Sequence, residues 1–279
     1  MTNRTTNFKY EKDNIIEGRT IKRLLRSSSE ADKKALLQND LVTQREPDVQ
    51  SLPPIVFTGK IYFVTSFEDC AMICAQVIER IEKHTRGEYP IGFDLEWPFS
   101  YQTGAGKTAL AQLCVSEHTC HLLHLYNLTK LPQSFINLLK HPRIRIVGVN
   151  IKNDIWKLGR DFPEFPAQRV VKNNCIECGV LANQVYNRSC RWSLQRLTAF
   201  ILHRKINKDK EVRVSKWHIL PLSTNQKKYA ATDAYVSLLV YLTIKKKADE
   251  IRLEKEKNGR EKLITLVTQT EALKIMQSQ

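Results

Sequence analysis

Apolar and polar positions change rhythm several times along the chain, and each rhythm predicts an element. Residues 1 to 52 hold no sustained rhythm: apart from Phe8 and Tyr10 they lack aromatics, and they mix Ser, Thr, Asn and Gln with charges of both signs. Such a stretch buries too little apolar area to offset the entropy of ordering, which predicts a disordered polar arm with a short helix over Glu30 to Leu41. Pro53-Pro54 marks the entry to a folded part, and the β-branched run Ile55 to Thr65 predicts a strand with Gly59 as a bend or bulge. Over Phe67 to Arg86, Met72, Ile73, Val77, Ile78 and Ile81 recur at helical spacing.

Between Tyr89 and Trp97 the period shortens to two. Ile91, Phe93, Leu95 and Trp97 face one way, so Asp94 and Glu96 face the other way together. Ala109 to Val115 and Cys120 to Leu125 read as strands joined by the polar turn Ser116 to Thr119. A helix around Gln133 to Lys140, a strand Ile144 to Val149 and a helix from about Asn153 follow. Helical patterns over Ile176 to Val185, Ser193 to Leu202 and Thr224 to Lys247 come next, and then a charged stretch of helical character. Strands clustered early, with helices interposed and massed late, predict an α/β domain in which helices cover a mixed sheet. That domain is placed at residues 53–247, between the arm (1–52) and a C-terminal extension (248–279).

Composition narrows the partners. A chain of 279 residues with 42% hydrophobic content supports one substantial core. A net charge of +15 and a pI near 9.5 point to a polyanion, because Lys and Arg that neutralise phosphates release counterions. Nucleic acid fits better than a membrane: the longest apolar runs fall well short of the ~20 residues a span needs. The opening MTNRTTNFKYEKDN lacks the apolar core of a secretion signal. Seven cysteines without framework spacing suit a reducing compartment. Cys175 and Cys178 form a C-x-x-C with no second half at zinc spacing, and read as two thiols at a helix start.

Gly104-Ala105-Gly106-Lys107-Thr108 imitates the end of a phosphate-binding loop. Tyr101 stands where that loop needs its first glycine, and the flanks read as strands, which argues against an NTPase. The glycines then connect two strands, with Lys107 as a candidate phosphate contact. Asp94 and Glu96 pose a sharper problem, since two like charges on one strand face repel and raise one pKa. A divalent cation removes the conflict. Asp154 follows a strand at a helix start, where a capping role is the ordinary alternative. Tyr229 and Asp233, four apart, share one helical face beside Ala230 and Ala231.

Taken together, D-x-E on a strand, a later Asp154 and Y-x-x-x-D on a late helix resemble the DEDDy class of 3′→5′ exonucleases. "FDLEW", "LAQLCVSE", "DIWKLGRDF", "KDKEVRVSKW" and "PLSTNQKKYAATDAY" resemble, more narrowly, the Werner-syndrome-type exonuclease domain over Gly59 to Leu242. The resemblance implies a ribonuclease-H-like (DnaQ-like) sheet flanked by helices. It further implies two ions, Mg²⁺ or Mn²⁺: Asp94 bridges them, Glu96 and Asp233 complete one site, and Asp154 supports the other through water. Tyr229 would orient the attacking water or help deprotonate it. One departure stands out, Gly148-Val149-Asn150-Ile151 in place of G-x-G-I, with Lys152 bringing positive charge near Asp154.

Leu95, Trp97, Tyr101 and Trp156 are candidates to stack bases, and Lys107, Arg204, Lys205, Lys208, Lys210 and Arg213 to follow the backbone. The expected activity is metal-dependent removal of nucleotides from DNA 3′ ends, in repair or replication. An RNase D-like exoribonuclease is the alternative, and a non-catalytic nucleic-acid-binding protein a further one. The resemblance, with basic clusters at Lys22-Arg23 and Lys245 to Lys247, implies a nuclear, stand-alone exonuclease that works with a separately encoded helicase.

Overall fold

The structure, a computed structural model, describes residues 48–83, 87–207 and 209–277. Residues 1–47 of the expected arm, with its helix Glu30 to Leu41, and Lys208 lie outside the described residues. Six strands form the central sheet: β1 (Lys60–Val64), β2 (Tyr89–Glu96), β3 (Leu110–Ser116), β4 (Thr119–His124), β5 (Ile144–Gly148) and β6 (Cys175–Glu177). They lie side by side in the order β1-β4-β3-β2-β5-β6. β3 pairs antiparallel with both β2 and β4, while β1–β4, β2–β5 and β5–β6 are parallel. The sheet is therefore mixed, as the alternation of strand and helix patterns implied.

The period of two sorts the side chains. Ile91, Phe93 and Leu95 of β2 join Ala111, Leu113 and Val115 of β3 in one core, closed by α1 (Phe67–Lys83), α2 (Gln133–Leu139), α3 (Ile151–Asp161) and α4 (Ala167–Asn173). Leu110, Cys114, Leu122 and Val147 belong to the opposite core. Against them pack α5 (Cys178–Val185), α6 (Leu194–Leu202) and α8 (Thr224–Gln277), with the short α7 (Lys210–Arg213) alongside. Gly92 shows how closely α8 crosses β2, since a Cβ there would collide with the Ala234 carbonyl. Only glycine leaves room for that crossing.

Some elements differ from the sequence expectation. The strand expected over Ile55 to Thr65 divides at Gly59: Pro54–Ile55 pairs with Lys205–Ile206, and Lys60–Val64 joins the sheet. Gly59 lies against the turn of the next hairpin, where a Cβ would stand 2.6 Å from the His118 carbonyl oxygen. The helix expected from Ile176 starts at Cys178, because Cys175–Glu177 adds an edge strand to β5; a short apolar run cannot distinguish the two by period. α4 and α7 have no counterpart in the sequence reading, and α8 runs through position 247 without interruption.

Gly104–Ala105 pairs with Phe99–Ser100 in a small hairpin. A partly buried ion pair fixes its base: Lys157 Nζ lies 2.6 Å from the Asp161 carboxylate and donates to the Gly106 carbonyl at 2.6 Å. The same carboxylate accepts the Thr108 N–H at 2.7 Å and hydroxyl at 2.6 Å. A buried pair with its remaining hydrogen bonds made is tolerated, whereas one deprived of a partner is costly.

Candidate active site

Three elements bring the carboxylates together. β2 presents Asp94 and Glu96 on the face that α8 crosses, and α8 contributes Asp233 from a turn that also carries the buried Ala230, Ala231, Thr232 and Ala234. These small side chains let the helix backbone approach the sheet. One carboxylate oxygen from each of Asp94, Glu96 and Asp233 lies within 4.8 Å of the others. Asp154 is buried in the first turn of α3. It stands outside that trio, yet its charge is the largest carboxylate influence on Asp94.

The departure at Asn150 has a local explanation. Asn150 adopts φ 61°, the left-handed region that glycine occupies freely. Asn is among the few other residues that visit it, so the turn into α3 is retained. Lys152 is exposed, and its charge acts on Glu177 and Cys175.

Enclosure makes the cluster electrostatically unfavourable on its own. Burial pushes the Asp94 carboxyl well above the usual range, and Asp154 and Asp233 push it further. Glu96 is raised by burial and then by Asp94, Asp233 and Asp154, with Arg213 acting the other way. Asp154 is raised to about 8, by burial first and by Glu177 second. Burial and the neighbouring carboxylates raise Tyr229 as well, and its hydroxyl hydrogen-bonds Asp233. Tyr229 therefore stays protonated at neutral pH.

The donor set fits a hard divalent cation. Three carboxylate oxygens converge and a fourth carboxylate stands beside them, with no thiol or imidazole in the group. Gln112 supports the fit. It is fully buried directly across from Asp94 in the β2–β3 register, and both its amide oxygen and nitrogen lack a protein partner. Opposed residues of an antiparallel pair share a face, so an unpartnered amide lies beside the acidic cluster.

Other sequence candidates are placed differently. Leu95 is buried in the core on the far side of β2, because strand alternation turns it away from its acidic neighbours. Trp97 packs against that core with the Lys157 ammonium 5.4 Å from its ring. Lys107 donates to the Tyr126 and Leu128 carbonyls at 3.1 and 2.6 Å and lies over the Phe162 ring, a bracing role rather than a phosphate contact. Lys205 donates to the Gln50 carbonyl. Arg204, Lys210 and Arg213 are exposed, and Arg213 is the one whose charge acts on Glu96. Trp156 is 40% exposed on α3, in a hollow with Arg160 and Arg169. Tyr101 is fully exposed at the hairpin tip, edge-on to Phe99.

The C-x-x-C thiols take no part. Burial pushes Cys175 up to about 12 and raises Cys178 too, and both thiols are free. The sequence reading passed over Gln112, Lys157 and Glu177. A lone polar residue inside the apolar run "LAQLCV" was the available signal for Gln112.

Comparison with known proteins agrees with this geometry. The profile of a family described as 3′-5′ exonuclease matches residues 68–249. A 3′-5′ exonuclease of Drosophila melanogaster is 41% identical over 213 residues, covering 76% of this chain and 60% of its own. One from Drosophila erecta is 45% identical over 214 residues, covering 75% and 60%. The chain thus spans about 60% of the length of the curated relatives it matches. Among solved structures, Escherichia coli RNase D, an exoribonuclease involved in structured RNA processing, superposes with a TM-score of 0.51 at 20% identity, covering 71% of this chain and 50% of that one. The catalytic core of RRP6 from Trypanosoma brucei gives 0.51 at 19%, covering 83% and 58%. At such identities the likeness is one of fold. The profile match runs from α1 into α8 and takes in Asp94, Glu96, Asp154, Tyr229 and Asp233, so the chain belongs to the 3′-5′ exonuclease family.

Proposed function

We propose that the protein is a metal-dependent exonuclease that removes nucleotides from DNA 3′ ends by phosphodiester hydrolysis. The observation that carries this reading is the convergence of Asp94, Glu96 and Asp233 within 4.8 Å, from a strand and a helix far apart in sequence. The family supports the direction of digestion, and the Werner-type motifs favour DNA and a nuclear setting.

Asp94, Glu96, Asp154 and Asp233 would hold Mg²⁺ or Mn²⁺, two ions per site. When bound, such ions supply Lewis-acid chemistry: they promote attack by water and stabilise negative charge on the phosphate and the leaving 3′-oxygen. Tyr229 sits beside the Asp233 carboxylate, where it would orient the attacking water or help deprotonate it. Arg213 offers a positive charge to the phosphate at the edge of the cluster. A cavity of about 220 Å³ is lined by Tyr229 and Asp233 together with the apolar Ile55, Val56 and Ile206 and the polar Asn207. It suits the terminal nucleoside. The exposed Trp156, in a hollow with Arg160 and Arg169, offers a stacking and cationic surface of the kind nucleic acid uses.

The test is digestion of 5′-labelled DNA and RNA duplexes with recessed 3′ ends, in Mg²⁺, Mn²⁺ or EDTA. A ladder of 3′-shortened DNA that needs the metal and is weak on RNA is expected. Equal digestion in EDTA, or no shortening of either strand, overturns the catalytic reading; preference for RNA overturns the choice of DNA.

A further inference from the structure

Glu177 stands outside the acidic cluster, at the end of edge strand β6 and level with Gly148 of β5. Its Oε1 accepts the Asn150 N–H at 2.8 Å, and the backbone N–H groups of Ile151 and Gly179 also act on its carboxylate to favour the charged form. Asn150 is the residue in the left-handed conformation, and its own side chain makes no cap bond to α3. The first N–H groups of a helix have no partner within it. Here a carboxylate from a neighbouring strand supplies the partner.

The consequence reaches Asp154. Asn150 and Ile151 open the turn that carries it, and the Asn153 N–H closes back on the Asn150 carbonyl at 2.9 Å. Asp154 is itself buried, so its carboxylate moves only as far as that turn moves. A carboxylate bonded to the Asn150 N–H and under the influence of two further backbone donors is already committed and is not a further ligand.

We infer that Glu177 is a positioning residue: by gripping the β5–α3 junction it aims Asp154 at the acidic cluster and so sets the affinity of the cluster for a divalent cation. The inference rests on the metal reading above. Glutamine keeps the shape but has one acceptor oxygen, and it turns an NH₂ group toward N–H donors, so Glu177→Gln breaks the grip without opening a cavity. Supporting groups of this kind are worth about 10–100-fold in metal affinity.

The test measures Mn²⁺ binding by electron paramagnetic resonance on protein free of nucleic acid, at a temperature where circular dichroism shows each variant folded. Asp154→Asn, Glu177→Gln, Glu177→Ala and the double variant Asp154→Asn/Glu177→Gln are compared with the wild type. Each Glu177 variant is expected to bind Mn²⁺ about tenfold more weakly or worse. The double variant should be no weaker than Asp154→Asn alone, because both changes remove one contribution. Single-stranded oligonucleotide binding in EDTA should be unchanged, and excess Mn²⁺ should restore Glu177→Gln activity. If Glu177→Ala does not fold, the isosteric Glu177→Gln decides the matter. Weakened binding in Asp154→Asn with wild-type binding in Glu177→Gln, or additive losses in the double variant, overturns the inference and leaves the metal reading standing. Wild-type Mn²⁺ binding in Asp154→Asn also overturns the inference, whereas absence of Mn²⁺ binding by the wild type overturns the metal reading itself.

Discussion

Asp94, Asp154 and Tyr229 show how one enclosure governs several residues at once. The carboxyl groups are raised because water is excluded and other carboxylates are near, so the metal-free site holds protons that the unfolded chain releases. Asp154 titrates near 8 when folded and at about 3.9 when unfolded. Below about pH 4 both states hold its proton and no stability is lost. Between about 4 and 8 the native state binds more protons than the unfolded state, so stability falls as pH rises through this window. Melting of the metal-free protein should therefore drop between pH 5 and 8, and Asp154→Asn should flatten the decline; a midpoint that rises with pH would contradict this. Asp94→Asn or Asp233→Asn should lower kcat at least about 100-fold while leaving oligonucleotide affinity within about twofold, because ligation and charge are lost but not the surface. Tyr229→Phe should cost less, about 100-fold or under, since it removes an orienting hydroxyl and keeps every carboxylate. Gel-resolved turnover measures both effects.

Among the elements, the crossing of α8 over β2 decides most. Gly92 lies under Ala234, one residue from Asp233, and two positions before Asp94. Gly92→Ala should push the helix off the strand and lower stability by about 1–3 kcal/mol, the usual cost of overpacking. Activity should fall further than the lost stability explains, because Asp94 and Asp233 separate. A denaturation midpoint together with turnover at a temperature where the variant is folded distinguishes the two effects. The second decisive contact is the Lys157–Asp161–Thr108 network, which holds the glycine-containing hairpin to α3. It accounts for Thr108, while Lys107 is engaged separately by the Tyr126 and Leu128 carbonyls.

For the whole molecule, a chain of net charge +15 carries a site made of carboxylates. The two are complementary: the positive surface draws a polyanion to a place that rejects it unless cations intervene. Among the described basic residues, Arg213 is the one whose charge reaches Glu96, while Lys107 and Lys205 spend their ammonium groups on carbonyls. Arg213→Ala should weaken DNA binding and reduce the slope of log affinity against log salt by about one, whereas Lys107→Ala should lower stability and leave that slope alone. Fluorescence anisotropy over a salt series measures both slopes.

What the sequence determined by itself was local in origin. A period of two placed Asp94 and Glu96 on one face of β2, a period of 3.6 placed Tyr229 and Asp233 on one face of α8, and these rhythms require nothing beyond a few neighbouring residues. Order and register of the strands were decided by pairing between segments separate in sequence, and the crossing of α8 by packing against a strand more than a hundred residues away. So were the placing of Gln112 beside Asp94, the grip of Glu177 on the turn of Asp154, and the inward course of Lys107. A long cationic or amide side chain has no intrinsic direction, and the carbonyl or carboxylate that captures it is brought within reach only when the chain has folded.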